Sequence, residues 1–153
     1  MEYRRATAED IDVLVKLRID MRTEREEKQC PMSLVDFGEL TRNYFMRHIP
    51  DDSFIAWVAV EDGEIIATSG MCIYYVPPTY GNPSGKVAYL VNLYTKPEYR
   101  GRSIGTRLIE LLVEDAGKRG CARITANASK MGRPILEKYG FTDVVGEMEY
   151  FIE

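Results

Sequence analysis

The amino-acid sequence predicts one domain, residues 1–153, of the mixed α/β (α+β) class, in which a sheet carries helices on both faces. Three observations support this fold class. The chain has 153 residues, enough for a single domain with its own core. Segments with strand periodicity and segments with helix periodicity follow one another along it. A hairpin in the first half gives way to strand–helix–strand units in the second half, and such units form parallel pairs by crossover.

The first third of the chain predicts one strand and two helices. Residues 2–6 form a short strand, after which Thr7 and Asp10 make the capping-box pattern that begins a helix. Apolar residues continue this helix at helical spacing: Ile11, Leu14, Leu17 and Met21. A second helix begins at Ser33, with Asp36 completing its capping pattern. Its apolar face is predicted to contain Leu34, Phe37, Thr41, Tyr44 and Phe45.

A β-hairpin is predicted next. Residues 53–60 and 64–76 are rich in β-branched and aromatic side chains, and Asp62-Gly63 lies at the centre of the turn between them. A loop dense in turn residues, 77–85, then leads into a fourth strand, residues 86–95.

The rest of the chain alternates helices with strands. A helix follows the connection 96–103, and its apolar face contains Ile104, Leu108, Leu111 and Leu112. Residues 121–129 form a short strand and turn, and residues 132–141 form a short helix that tolerates Pro134 in its first turn. Residues 142–152 are predicted to close the chain as a strand, because apolar and acidic side chains alternate there: Glu147, Met148, Glu149, Tyr150 and Ile152.

The composition argues against several classes of partner. The net charge is −4, and no cluster of Lys and Arg forms the basic stripe that nucleic-acid binding requires. No apolar run approaches the roughly 20 residues that span a bilayer, so we expect no membrane partner. The cysteines, Cys30, Cys72 and Cys121, form no C-x-x-C pair. We therefore expect neither a disulfide framework nor a metal site, and a reduced, cytoplasmic compartment.

The string "GRSIG", residues 101–105, has two functional interpretations. It matches the G-x-S-x-G nucleophile elbow of serine hydrolases, but the chain's one histidine, His48, precedes Ser103, and the hydrolase order places histidine last. It also predicts a turn that begins a helix. The first N–H groups of a helix have no internal partners, and its dipole adds about half a positive charge there. Such a turn binds anions, and Arg100 and Arg102 add charge. A plain strand–loop–helix connection is equally compatible with the string alone.

Two longer sequence motifs, one of which contains this turn, relate the chain to a known family. In the first, Pro97 and Tyr99 precede Arg100-Gly101-Arg102-Ser103-Ile104-Gly105. In the second, a helix ends in "LEKYGF", residues 136–141. Together they resemble the GNAT superfamily of acetyl-CoA-dependent N-acetyltransferases, whose phosphate turn is R/Q-x-x-G-x-G/A and whose later helix ends in Y-E-K-x-G-F. Ser103 replaces the middle glycine of the turn, and Leu136 replaces the tyrosine of the helix.

The resemblance implies a fold and a co-substrate. The fold would be a mixed, mostly antiparallel sheet of six to seven strands, splayed between the fourth and fifth strands. The co-substrate would be acetyl-CoA, with no metal. Its pantetheine arm would lie along Leu93, Tyr94 and Thr95 and bond to Ser129 or its neighbour Asn127. Its pyrophosphate would meet the turn and the start of the helix: Arg100, Gly101, Arg102, Ser103, Ile104, Gly105 and Thr106.

The resemblance also implies direct attack of a neutral amine on the acetyl thioester. The backbone N–H of Leu93 would polarise the thioester carbonyl. Leu136 cannot donate a proton to the leaving thiolate, which leaves three alternatives: Tyr139 donates it, water donates it, or the protein is a slow or non-catalytic acyl-CoA-binding module. Glu24 is the candidate base, although it also suits an ion pair with Lys28. Asn92 is a candidate for orienting a water or the acceptor.

The acceptor and the assembly state are predicted less specifically. The resemblance implies a primary amine of a small molecule or peptide, and an acidic protein favours a cationic acceptor such as a polyamine. The loop 77–85 and the end of the first helix would shape the acceptor pocket. The last predicted strand would be an exposed edge if unpaired, and such edges find partners, so we expect a homodimer.

Overall fold

The computed structural model describes residues 1–25 and 32–152. Within those residues one sheet contains five strands, and four helices pack on its faces. The strands are β1 (Glu2–Arg5), β2 (Phe54–Glu61), β3 (Glu64–Tyr75), β4 (Lys86–Thr95) and β5 (Ile124–Ala126). The helices are α1 (Ile11–Glu24), α2 (Leu34–His48), α3 (Ile104–Lys118) and α4 (Arg133–Tyr139). The strands lie side by side in chain order, and all neighbours are antiparallel except β4 and β5.

The turn and the helix caps predicted from local sequence patterns are present in the structure. Asp62 and Gly63 both have left-handed backbone conformations, with φ of 51° and 79°, as the two central residues of a tight type I′ hairpin require. The backbone N–H of Thr7 donates to Asp10 Oδ2 at 2.8 Å, which caps a single 3₁₀ turn that continues into α1. Ser33 Oγ accepts from the backbone N–H of Asp36 at 3.0 Å and caps α2.

The sheet separates two layers of core. Because side chains alternate between the faces of a strand, Phe54, Ala56 and Val58 of β2 pack toward α1 and α2, whereas Ile55 packs toward α3 and α4. Trp57 points to the α3 side, where its indole Nε1 donates to Asp115 Oδ2 of α3 at 3.1 Å. The prediction of helices on both faces is therefore confirmed.

Two sequence predictions about the fold are wrong. The described residues contain five strands instead of six to seven, because residues 142–152 form no strand pairing. The alternation in that segment is real, but a strand also needs a neighbour to pair with, and none of the described strands pairs with it. The predicted apolar face of α2 holds at Thr41 and Phe45, which are buried, and fails at Leu34, which is exposed because the start of α2 extends beyond the core.

Several smaller expectations can also be compared with the structure. Cys72 and Cys121 are free thiols and half-buried, and Cys30 lies outside the described residues. Across residues 1–25 and 32–152, none of the helices has the length and apolar character needed to cross a membrane. His48 Nδ1 lies 2.6 Å from Ser53 Oγ, so the histidine joins the end of α2 to the start of β2.

Candidate active site

A cleft of about 900 Å³ opens where β4 and β5 separate. The two strands pair at three positions only, Ala88–Leu90 of β4 with Ile124–Ala126 of β5, and β4 then continues to Thr95 paired with β3 alone. Four segments line the opening: the end of α1, the second half of β4, the connection into α3, and the chain between β5 and α4. The pairing of the fourth and fifth strands thus ends beside the cleft, where the sequence predicted a splay.

A β-bulge shapes the floor of the cleft. In the pairing of β3 with β4, Thr68 lies opposite Tyr94 and Gly70 opposite Val91, so Asn92 and Leu93 together face the single residue Ser69. Asn92 has a φ of 57°, a left-handed conformation that asparagine tolerates better than most residues. Bulges redirect a strand and recur beside active sites. Sequence reasoning selected Asn92 and Leu93 but did not predict the bulge, whose signal was the asparagine inside an apolar strand.

The turn before α3 brings backbone N–H groups to the cleft. Gly101 and Ser103 have left-handed conformations with φ of 79° and 58°, and α3 begins at Ile104. Gly105 is tightly surrounded, because a Cβ added there would lie 3.4 Å from Ile135 Cδ1 and 3.9 Å from Leu93 Cδ1. The predicted turn residues that line the cleft are Gly101, Ser103, Ile104, Gly105 and Thr106. Ser103 adopts a left-handed conformation, which glycine adopts without steric cost. Glycine is therefore well suited to this position of the turn.

The side chains of the two arginines of the turn both have partners within the protein. Arg102 turns away from the cleft: its Nη1 donates to Glu61 at 3.2 Å, and its guanidinium lies over the ring of Tyr99. Arg100 lines the cleft, but its guanidinium is occupied, since Nη1 and Nη2 donate to the two carboxylate oxygens of Glu24 at 2.6 and 2.7 Å. Neither side chain therefore points freely at a bound anion, although the backbone of both belongs to the turn.

The Arg100–Glu24 pair fastens α1 to β4. Arg100 Nε also donates to the backbone oxygen of Thr95 at 2.9 Å, and its guanidinium lies 5.5 Å from the centre of the Tyr94 ring. Hydrogen bonding from Arg100 holds the pKa of Glu24 below its usual range. A carboxylate with a lowered pKa and two bonds to a guanidinium accepts a proton poorly, so the structure argues against Glu24 as the base. Lys28, its alternative partner, lies outside the described residues.

Two arginines of α1 and the arginine that caps its C-terminus line the cleft, and the sequence analysis did not predict them. Arg18, Arg22 and Arg25 face the opening together with Met21. Their spacing of four and three residues places them on one side of the helix, which is the signal that the sequence offered. Arg18 Nη1 donates to Asn92 Oδ1, so α1 also holds the side chain of the bulge residue.

The segment from β5 to α4 forms the opposite wall. Ser129 lines the cleft, and its Oγ accepts from the backbone N–H of Gly132 at 2.9 Å, which supports the start of α4. Asn127 lines the cleft as well. Leu136 is buried beneath the opening, in the core between α3 and α4. Tyr139 lies outside the cleft, with its ring 6.2 Å from that of Phe141, because three residues turn a helix by about 300°. This position argues against Tyr139 as a replacement for the missing acid.

The hydrolase interpretation of the turn finds no support in the described residues. Ser103 lines the cleft, whereas His48 is hydrogen-bonded to Ser53 in the connection between α2 and β2 and is not among the cleft residues. Within the same residues no group of three or more His, Cys, Asp and Glu side chains is arranged to hold a metal ion.

Comparisons with known proteins identify the family of the chain. The model of the acetyltransferase (GNAT) family matches residues 18–141. The crystal structure of a predicted acetyltransferase with acetyl-CoA from Clostridium acetobutylicum is 33% identical, with a TM-score of 0.91 over 98% of this chain and 95% of that chain. A GCN5-related N-acetyltransferase from Ralstonia eutropha is 27% identical, with a TM-score of 0.87 over 99% of this chain and 97% of that one.

Curated relatives match over shorter stretches. Thialysine N-epsilon-acetyltransferase of Bos taurus is 38% identical over 55 residues, which are 36% of this chain and 31% of the relative. Glucosamine 6-phosphate N-acetyltransferase of Trypanosoma brucei brucei is 28% identical over 79 residues, which are 52% of each protein. The matched stretches thus span between a third and a half of these relatives.

The Arg100–Glu24 pair predicts a pH-dependent contribution to stability. Because the pKa of Glu24 is lowered by folding, the pair stabilises the fold above the carboxyl's unfolded pKa and loses this effect as pH falls through the folded pKa. We expect Glu24→Gln to lower the free energy of unfolding by about 1 kcal/mol or less at pH 7, since both side chains are partly exposed. Urea titrations at pH 7 and pH 3 should show this difference shrinking at the lower pH.

Glu114→Gln is the matched control for that prediction. Glu114 pairs with Lys118 on the exposed side of α3, away from the cleft. A cost of Glu24→Gln that stays the same at both pH values would contradict the assigned role of the pair.

Proposed function

We propose that this chain transfers the acetyl group of acetyl-CoA to a primary amine of a small molecule or peptide. The chain belongs to the acetyltransferase (GNAT) family and is an acyltransferase. One observation carries the proposal: the unpaired half of β4 and the N-terminal turn of α3 face the same cleft. The first suits an extended amide-containing arm, and the second suits a pyrophosphate at its end.

The α3 turn fits the pyrophosphate through its backbone. The first N–H groups of α3 have no partners within the helix, and the helix dipole favours negative charge there. Gly101 leaves space for a close approach, since a Cβ added to it would meet no atom within 4 Å. Gly105 keeps the start of α3 against β4 and α4. With the guanidinium of Arg100 bound to Glu24, the affinity for phosphate rests on N–H groups more than on side-chain charge.

The second half of β4 supports the pantetheine arm. Beyond Leu90 the side of β4 that faced β5 carries no strand among the described residues, so its N–H and C=O groups can bond to an extended ligand as a strand would. Acetyl-CoA, when bound, supplies an acyl group already activated as a thioester. Leu93, the second residue of the bulge, donates its N–H toward the thioester carbonyl, and the Ser129 hydroxyl bonds to the arm from the opposite wall.

The reaction needs two proton transfers, one from the attacking amine and one to the leaving thiolate. Asn92 is held by Arg18 at the thioester end of the cleft, where it orients the attacking amine or a water that accepts its proton. Leu136 has no proton to donate, and Tyr139 lies elsewhere. With Leu136 unable to donate, we assign protonation of the leaving thiolate to water. This is tolerable because a thiol pKa of about 8.5 makes the thiolate a fair leaving group.

The α1 wall favours an acceptor that carries an acidic group beside its amine. Arg18, Arg22 and Arg25 lie along this wall, and Glu24 is the one acidic side chain among the described lining residues, so positive charges outnumber negative ones there. Thialysine and glucosamine 6-phosphate, for which the curated relatives are named, carry a carboxylate and a phosphate respectively. The charges of this wall thus favour a zwitterionic or phosphorylated amine over the polycation that net charge suggested.

Binding of acetyl-CoA tests the placement of the pyrophosphate. Gly105→Asp adds a carboxylate and a crowded Cβ to the first turn of α3, so we expect its Kd for acetyl-CoA to rise at least about tenfold in titration calorimetry. Gly117→Asp is the control, since it lies on the same helix at a position where a Cβ meets nothing within 4 Å. Equal losses in both variants, or no binding by the unaltered chain, would reject the proposed site.

The acceptor class is tested with a pair of amines that differ by one carboxylate. We expect kcat/KM for thialysine to exceed that for its decarboxylated analogue by about tenfold or more, because a charge-assisted hydrogen bond contributes about 1.5–3 kcal/mol. The double variant Arg22→Gln plus Arg25→Gln should reduce this preference, while Arg47→Gln on α2 should not. Equal kcat/KM for the two amines would contradict the proposed acceptor class.

Proton donation is tested at position 136. General acids accelerate reactions by about 10²–10⁴-fold. We therefore expect the kcat of Leu136→Tyr to exceed the kcat of Leu136→Phe by at least about tenfold in a thiol-release assay. Both rings impose the same strain on a buried position, and only one carries a hydroxyl. An equal kcat in the two variants would show that protonation by water is not the limiting step.

A further inference from the structure

Asn92 has a left-handed backbone conformation inside strand β4. Its φ is 57°, whereas residues of a regular strand have φ of about −120° to −140°. Any residue with a Cβ adopts the left-handed region at a cost, although asparagine tolerates it better than most. Conformations of this kind persist where the surrounding structure holds them, and they cluster at active sites. Some contact of Asn92 must therefore stabilise the bulge.

The strands beside Asn92 supply little of this support. On one side Asn92 and Leu93 together face the single residue Ser69 of β3, and the extra residue of a bulge is left without its own partner in the ladder. On the other side the pairing of β4 with β5 has already ended at Leu90. Main-chain pairing thus fixes Asn92 less firmly than a residue of a regular strand, and its side chain is the remaining point of attachment.

Helix α1 holds that side chain. Arg18 Nη1 donates to Asn92 Oδ1, and both residues are half-buried where they line the cleft. A hydrogen bond from a charged donor is stronger than one between neutral groups. The two residues are 74 positions apart in the chain, so this bond is a tertiary contact between the helix and the bulge.

Helix α2 in turn holds Arg18. The guanidinium carbon of Arg18 lies 5.9 Å from the centre of the Phe37 ring, a distance at which a cation is attracted to the face of an aromatic ring. Phe37 is half-buried and is not among the described residues that line the cleft. The contacts therefore run from α2 through α1 to the bulge in β4, and they begin at a residue that lies outside the cleft.

We propose that Arg18 is a positioning residue: by holding the side chain of Asn92, it keeps the bulge in its left-handed form and so aims the N–H of Leu93. The peptide unit between Asn92 and Leu93 is planar, so its N–H turns with the backbone torsions of Asn92. A group that is misplaced by about 1 Å can cost an enzyme about 10²-fold in rate. This role rests on the proposed function, in which the Leu93 N–H meets the thioester carbonyl.

The amide of Leu93 reports on this role without any acceptor. In protein made with isotope-labelled leucine, we expect its proton resonance to differ between the acetyl-CoA and CoA complexes, because only acetyl-CoA presents a thioester carbonyl to it. Arg18→Met removes the donor to Asn92 and should at least halve this difference, whereas Arg18→Lys keeps a donor and should retain most of it. Arg42→Met is the matched control and should change nothing, since Arg42 also joins α2 to α1, but through Asp12 and not through the bulge.

Glycine at position 92 separates the backbone from the side chain. Glycine adopts a positive φ without steric cost, so a glycine bulge needs no holder. In the Asn92→Gly background, Arg18→Met should therefore leave the resonance difference at Leu93 unchanged. Asn92→Ala lacks the amide as well, but its Cβ disfavours the left-handed region, so we expect a smaller difference at Leu93 than in Asn92→Gly.

Turnover of thialysine makes the same comparison as a rate. We expect kcat to fall about tenfold or more in Arg18→Met, and to be about tenfold higher in Asn92→Gly than in Asn92→Ala. The Kd for acetyl-CoA should stay within about twofold in all these variants, because the turn before α3 is unaltered. A direct contact of Arg18 with the acceptor would appear in KM for thialysine and would persist in the glycine background, whereas the effect on kcat should disappear there.

The outcomes separate this role from the proposed function. No binding of acetyl-CoA by the unaltered chain would reject both. Binding without any difference at Leu93 between the two complexes would reject the aimed N–H and with it the role of Arg18. A difference at Leu93 that Arg18→Met leaves unchanged, or reduces equally in the Asn92 and glycine backgrounds, would overturn positioning by Arg18 and leave the proposed function standing.

Discussion

β4 and β5 pair over three residues only, and the main-chain groups of β4 beyond Leu90 must find partners that are not β5. The bulge at Asn92 and Leu93 lies just past this point, and the first turn of α3 faces the same opening. Two sources of backbone hydrogen-bonding groups thus meet in one cleft. The separation of two strands, more than any single side chain, is what makes a site for a long polar ligand.

The ion pair between Arg100 and Glu24 gives both residues a structural role. Their separation of 76 residues along the chain means that no local pattern could have paired them. Sequence reasoning read the arginine as a phosphate ligand and the glutamate as a base, which are reasonable roles for unpaired charges. Once paired, they connect the end of α1 to Thr95 and Tyr94, and the α1 wall of the cleft is held by the same residue that begins the turn before α3.

Features with local causes could be predicted from the sequence, and features with distant causes could not. The caps at Thr7 and Ser33 and the Asp62-Gly63 hairpin depend on neighbours in the chain, and the structure has all of them. The anion-binding turn was recognisable because its chemistry lies in consecutive backbone groups. The left-handed Asn92 depends on its register against β3. Whether residues 142–152 form a strand depends on a neighbouring strand with which they can pair, and the periodicity of the sequence does not reveal such a neighbour.

Trp57 gives this molecule a built-in optical reporter. It is the chain's single tryptophan, and its indole bonds to Asp115 between the sheet and α3. Indole emission depends on the polarity and hydrogen bonding around the ring, so all tryptophan fluorescence of the chain originates at the seam where α3 rests on the sheet. Since the other end of the same helix begins at the turn that lines the cleft, the docking of α3 can be followed in real time without a label.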